Sequence, residues 1–177
     1  EEVLFTDLLR KALIKLNKGV PEPAIEQAIN ELAKGRSSMS AMMANKEVFE
    51  LIKEGFPVKV LNKQGREEPI RVRFIDFKKA SNNNFTVVSQ LWIKGMPKFR
   101  RPDLIIYVNG IPLVFIELKN SNIEIKDAYD VNLTTYLKEI PQLFPAAPRS
   151  GACGVAARTG AAPRLARQQF HAGSTKS

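Results

Sequence analysis

The run Arg101-Pro102-Asp103-Leu104-Ile105-Ile106-Tyr107-Val108-Asn109-Gly110-Ile111-Pro112-Leu113-Val114-Phe115-Ile116-Glu117-Leu118-Lys119-Asn120 tells more about the architecture than any other part of the chain. Two segments rich in Val, Ile, Leu and aromatics meet at Asn-Gly, the strongest short-range signal for a β-hairpin. Asp103 stands where the first strand begins, and Glu117 and Lys119 stand where the second ends. Strand alternation alone does not call for three charges there.

Glu117 and Lys119 are two residues apart, so on a strand they share a face, while Ile116 and Leu118 share the other. The spacing predicts one chemical face and one core face. Two carboxylates at one sheet edge can hold a hard cation such as magnesium through oxygen and leave positions for water and a substrate phosphate. An adjacent ammonium can orient that water or offset developing charge. Metal-assisted phosphodiester hydrolysis needs a polarising cation, a nucleophilic water and a clamp on the transferring group.

This reading places a condition on the hairpin register. With a strict two-residue loop at Asn109-Gly110, Val108 faces Ile111 and Asp103 faces Ile116, which separates the carboxylates onto opposite faces. One extra residue, from a three-residue loop or a bulge, brings Asp103 opposite Glu117. Pro112 favours such an irregularity because it has no N–H for the ladder. An odd offset is therefore expected. Taken alone, Glu-x-Lys at a strand end more often marks a solvated terminus than a catalytic pair. The full pattern, Pro-Asp, thirteen residues, Glu-x-Lys, is more specific.

At these residues the chain resembles the PD-(D/E)XK nuclease superfamily, and more closely the N-terminal nuclease domain of the motor (R) subunit of type I restriction enzymes. Further resemblance lies in Phe85-Thr86-Val87-Val88-Ser89-Gln90-Leu91-Trp92, Arg100-Arg101-Pro102-Asp103, Val108 to Leu113, Ile116 to Asn120 and Glu139-Ile140-Pro141-Gln142-Leu143-Phe144. It spans roughly residues 1 to 144. It implies that Asp103 and Glu117 are ligands of Mg2+ and that Lys119 is the catalytic lysine. It also implies cleavage of double-stranded DNA after translocation by an attached motor, within a complex that includes modification and specificity subunits. The family's following helix carries Gln and Tyr four apart; here Asn132, one methylene shorter, stands for the Gln, with Tyr136 kept. An acidic residue from a preceding helix is common in the superfamily, yet this chain opens at Glu1-Glu2-Val3-Leu4-Phe5 as if an earlier helix were missing. Glu26 and Glu31 are weak substitutes, better read as solvated helix charges.

Composition fits one modest soluble domain: 177 residues, 44% hydrophobic and 25% charged. No apolar run approaches the roughly 20 residues of a spanning helix, and no signal peptide is legible, so no membrane is expected and a cytoplasmic location is. Cys153 is the lone cysteine and His171 the lone histidine, so a zinc site is not expected and metal chemistry must rest on carboxylates. The net charge of +9 suggests a polyanionic partner. Residues 146 to 177 contribute +5 with no acid, and the body, with 22 basic and 18 acidic residues, contributes +4. More pointed is the basic loop Lys94-Gly95-Met96-Pro97-Lys98-Phe99-Arg100-Arg101, which runs into Asp103. Lys94, Lys98, Arg100 and Arg101 are the candidate phosphate contacts, the bland alternative being a solvated connection.

Apolar spacing predicts a helix over 2–16, a second over 24–33 with Pro23 in its first turn, and a third over 46–54 ending at Gly55. Arg36 to Ser40 reads as a loop whose hydroxyls serve as caps. Strands are predicted at 58–62, 70–76 and 85–93, making five with the hairpin. Ile125, Ala128, Tyr129, Asn132, Leu133, Tyr136, Leu137 and Ile140 mark one face of a later helix that Pro141 stops. From Ala146 the chain holds nine Ala, four Gly and no acid, with no sustained periodicity. It is expected to be a disordered or appended tail, or the product of a truncation or frame change.

The expected organisation is thus an α/β nuclease domain over 1–145, with a helical part at 1–55, a core at 58–145 and an atypical tail at 146–177. Its mixed, largely antiparallel central sheet is flanked by helices. No G-x-x-x-x-G-K-[ST] occurs, so any use of ATP belongs to a motor outside this chain. Two alternatives keep the same residues in other roles: a non-catalytic DNA-binding or subunit-docking module, and a stand-alone structure-selective nuclease. Only a nuclease needs Asp103 and Glu117 to converge.

Overall fold

A computed structural model of the chain describes residues 3–36, 38–61, 64–94, 99–120 and 153–158. Three helices come first: α1 (Thr6–Leu16), α2 (Glu22–Ala33) and α3 (Ala41–Glu54). Each follows from an apolar stripe at helical spacing, as in Leu9, Leu13 and Leu16 of α1 and Ile25, Ala28, Ile29 and Leu32 of α2, all buried. Pro23 occupies the first turn of α2, where its missing N–H costs nothing. The third helix starts earlier than its apolar spacing predicts because Ser40 caps it, its Oγ accepting the Met43 N–H at 3.3 Å. The first starts later, because Val3 and Phe5 leave the helical path to pack on a second core cluster.

The strands are β1 (Phe56–Leu61), β2 (Glu67–Val72), β3 (Phe85–Ser89), β4 (Ile93–Lys94), β5 (Phe99–Arg100), β6 (Leu104–Val108), β7 (Ile111–Asn120) and β8 (Cys153–Arg158). β3, β6, β7 and β8 form the main sheet in that order; β3–β6 and β6–β7 are antiparallel and β7–β8 parallel. β1–β2 and β4–β5 are separate two-stranded ribbons. The architecture is mixed α/β with a largely antiparallel sheet, as expected. Three details differ. The predicted first two strands pair with each other and not with the main sheet. The strand predicted over 70–76 stops at Val72, because Asp76 accepts the N–H groups of Lys78 and Lys79 and starts a turn instead. The strand predicted over 85–93 breaks at Gln90, whose φ of 51° cannot continue a ladder.

The expectation of a tail that adds no strand is corrected for Cys153–Arg158, which pairs with β7 from Phe115↔Cys153 to Asn120↔Arg158. An open strand edge is a template for any extended segment, and small Ala and Gly side chains hide the period-two signal that sequence reading relies on. The predicted helix over 125–140 lies outside the described residues.

The main core joins α1, α2 and α3 to β1, β2 and the turn end of β6–β7, with Leu9, Leu13, Ile25, Phe74 and Ile111 almost fully enclosed. Burying each such side chain contributes about 1.5–3 kcal/mol. A smaller cluster of Leu91, Ile93, Ile105, Tyr107 and Phe115 lies on one face of the main sheet. There the Phe5 and Tyr107 rings stack with centroids 4.2 Å apart, a contact worth about 0.5–1.5 kcal/mol beyond its area. Polar cross-links fix the layers. Asn17 donates to the Leu13 and Arg73 carbonyls and accepts the Arg73 N–H, and Arg36 joins the end of α2 to Glu47 of α3 at 2.8 Å.

Candidate active site

Asn109 and Gly110 both have positive φ, 53° and 82°, which is the type I′ turn that matches the twist of a two-residue hairpin. Val108 pairs with Ile111 and Tyr107 with Pro112; the register then shifts, and Ile106 pairs with Val114, Ile105 with Phe115 and Leu104 with Ile116. Leu113 is the extra residue. The loop is therefore tight, and the odd offset required by the carboxylates comes from a bulge beside Pro112. One step beyond Leu104↔Ile116, Asp103 stands opposite Glu117. The two strands are tied at that point, since Asp103 Oδ2 accepts the backbone N–H of Leu118 at 2.7 Å.

Glu117 shares its sheet face with Phe115 and, across the ladder, Ile105, at the end of the smaller core cluster. It is only 7% exposed, whereas Ile116 and Leu118 on the other face are half-buried. The simple division into a chemical face and a core face is thus corrected: the carboxylate face is itself lined by core side chains. A carboxylate at that depth requires a compensating donor or cation. β7 pairs with β8 through this segment, so Glu117 sits on a strand bonded on both sides and held rigidly. Among the described residues no third His, Cys, Asp or Glu joins these two. Two carboxylates with remaining positions left to water and phosphate suit magnesium better than a cation needing an all-protein cage. Lys119 lies two residues further along β7.

The turn that sets this register is anchored from below. Asn109 is fully buried; its Nδ2 donates to the Phe74 carbonyl at 2.8 Å and to Asn83 Oδ1 at 3.0 Å, and its Oδ1 accepts the Asn84 N–H at 2.7 Å. Gly110 presses on the start of α1: its carbonyl accepts the Phe5 N–H at 2.9 Å, and a Cβ built on it would lie 2.5 Å from the Phe5 carbonyl oxygen. Sequence reading identified Asn109 only as a turn residue. Its enrichment at positive φ was the visible signal; the three loops it joins were not.

Of the candidate DNA contacts, Lys94 and Arg100 lie on the β4–β5 ribbon, and the Arg101 guanidinium carbon lies 5.1 Å from the centroid of the Trp92 ring. Lys98, Asn132 and Tyr136 lie outside the described residues. Glu26 and Glu31 are surface ion-pair partners, as expected of helix charges: Glu26 pairs with Arg10, and Glu31 with Lys34 and Arg36. The Arg10 hydrogen bond, helped by its charge, holds the Glu26 carboxyl below its usual pKa against the opposing effect of burial. Sequence reading gave Gln90 and Trp92 no role at the site. Gln90, at positive φ, donates its N–H to the Asp103 carbonyl at 2.9 Å.

The sequence of residues 1–163 matches the family model for the N terminus of the type I restriction enzyme R protein. The matched region passes the expected boundary at 145 and includes β8. The type I restriction enzyme HindI endonuclease subunit of Haemophilus influenzae is 36% identical over 146 residues, 80% of this chain and 14% of that protein. The type I restriction enzyme SauCOLORF180P endonuclease subunit of Staphylococcus aureus is 32% identical over 92 residues, 50% of this chain and 9% of that protein. The chain therefore corresponds to a small part of the length of these relatives.

Proposed function

The chain belongs to the family of type I restriction enzyme R protein N termini, and from that premise we propose that it is the DNA-cleaving domain of such a subunit, hydrolysing phosphodiesters of double-stranded DNA with Mg2+. The observation that carries this reading is the Leu113 bulge, which sets Asp103 opposite Glu117. A structural hairpin has no need of that offset, and a two-carboxylate site does.

In the proposed mechanism Asp103 and Glu117 hold the cation, which supplies Lewis acidity toward the scissile phosphate. The Leu118 N–H fixes the Asp103 carboxylate through Oδ2, leaving Oδ1 for the ligand. Lys119 orients the attacking water and offsets the charge that builds on the phosphate oxygens as the P–O ester bond breaks. Lys94, Lys98, Arg100 and Arg101 hold the neighbouring backbone phosphates. Motor domains elsewhere in the same subunit, together with modification and specificity subunits, deliver the DNA. We assign the domain a cytoplasmic setting with the rest of that complex.

The test is cleavage of supercoiled plasmid in magnesium by the chain and by Asp103→Ala and Lys119→Ala, each checked for folding. Either change is expected to lower the rate by at least about a hundredfold, the scale on which one transition-state contact acts. Cleavage that survives both substitutions would remove the site.

A further inference from the structure

The outer face of the β4–β5 ribbon supplies two phosphate contacts, Lys94 and Arg101, to the mechanism above, but its aromatic side chains have no role there. Its register pairs Ile93 with Arg100 and Lys94 with Phe99, so the next pair outward is Trp92 with Arg101. Alternation sends Ile93 into the smaller core cluster and leaves Trp92, Lys94, Phe99 and Arg101 on the opposite side. Trp92 is 55% exposed and Phe99 60%, and both cations are exposed. Arg101 lies over the Trp92 ring, holding the indole in one orientation. Two large exposed aromatics interleaved with two cations have the composition of a surface that stacks nucleobases while gripping their phosphates. A solvated ribbon would not require the aromatics, and a purely electrostatic duplex contact would not use them.

This face is tied to the catalytic strand on both sides. Arg101 precedes Asp103 by two residues, and Gln90, two residues before Trp92, donates its N–H to the Asp103 carbonyl. Two extended residues span about 7 Å. A base on Trp92 would therefore lie within a nucleotide or two of the scissile phosphate.

We propose that Trp92, braced by Arg101 and assisted by Phe99, stacks an unpaired base of the DNA strand beside the cleavage site, so that the domain engages locally opened DNA in preference to intact duplex. This rests on the nuclease reading but is testable without cleavage, because Trp92 is the chain's one tryptophan and its fluorescence reports on this face alone. The full chain, in chelator, is titrated with oligothymidylate and with a blunt duplex of equal length. Oligothymidylate is expected to quench Trp92 saturably and more strongly than duplex. By anisotropy of a labelled oligonucleotide, Trp92→Ala should weaken single-strand binding about 5- to 100-fold, the worth of one stacked base, with a smaller effect on duplex. Trp92→Phe should retain most of the affinity. Absence of quenching, equal quenching by both ligands, or equal weakening of both by Trp92→Ala would overturn the proposal. Should Trp92→Ala fail to fold, quenching of the unaltered chain decides alone. Failure here leaves the Asp103 and Lys119 cleavage test untouched, and failure there leaves this one untouched.

Discussion

Asp103 accepts the Leu118 N–H through one carboxylate oxygen, and in the proposed mechanism the other holds the cation. Charge and hydrogen bonding at this residue can be separated: Asp103→Asn retains an acceptor for Leu118 and loses the negative charge. That variant is expected to unfold in urea near the midpoint of the parent while losing at least about a hundredfold in plasmid cleavage. Asn109 behaves in the opposite way. It touches none of the proposed ligands, but Asn109→Ala would strip the Asn84 N–H and the Phe74 carbonyl of their partners inside the protein. Each orphaned group costs about 1–3 kcal/mol, so urea denaturation should show a loss of several kcal/mol. Gly110→Ala should also destabilise, by about 1–3 kcal/mol, because its φ of 82° and the Phe5 carbonyl 2.5 Å from the new methyl both oppose a side chain.

Among the elements, the β6–β7 hairpin makes the sharpest demand. Inserting one residue after Leu113, with the single bulge kept, would shift the pairing and put Asp103 opposite Ile116. Cleavage should then fall to background while circular dichroism still reports the sheet; a chain carrying the insertion that cut DNA normally would show that the offset is irrelevant. This hairpin was legible in the sequence because its signals are local: Asn-Gly for the turn and Pro112 for the irregularity. The three helices were legible for the same reason, through apolar spacing. Their starts were not, since Ser40 extends α3 by capping and Phe5 shortens α1 by stacking on Tyr107, contacts that pattern alone does not encode. Likewise the split of the early strands into a separate ribbon depends on which edges meet in space, and β8 on an edge offered by β7 about forty residues away along the chain.

For the whole molecule, acid should act through carboxylates that folding holds in the charged form. Hydrogen bonds from Asn82 and from the Lys79 and Lys78 backbone lower the Asp76 pKa, and Arg10 lowers that of Glu26. A depressed folded pKa adds stability above the unfolded value, about 3.9 for Asp and 4.3 for Glu, and that contribution disappears as pH falls through the folded value. Urea midpoints should hold from pH 7 to about 5 and decline below about 4, and Asp76→Asn should flatten part of the decline. The net charge of +9 suggests a preference for polyanions, and in the proposed function the working part of that charge is narrower. It lies on one ribbon that leads into Asp103, where Arg101 is held over Trp92. The central claim is that Asp103 and Glu117 together hold a divalent cation, and it can be tested without motor or DNA by calorimetric titration of magnesium into the chain, Asp103→Asn and Glu117→Gln. One saturable site in the parent that is lost in both folded variants is the predicted result; binding unchanged by both substitutions would contradict the account.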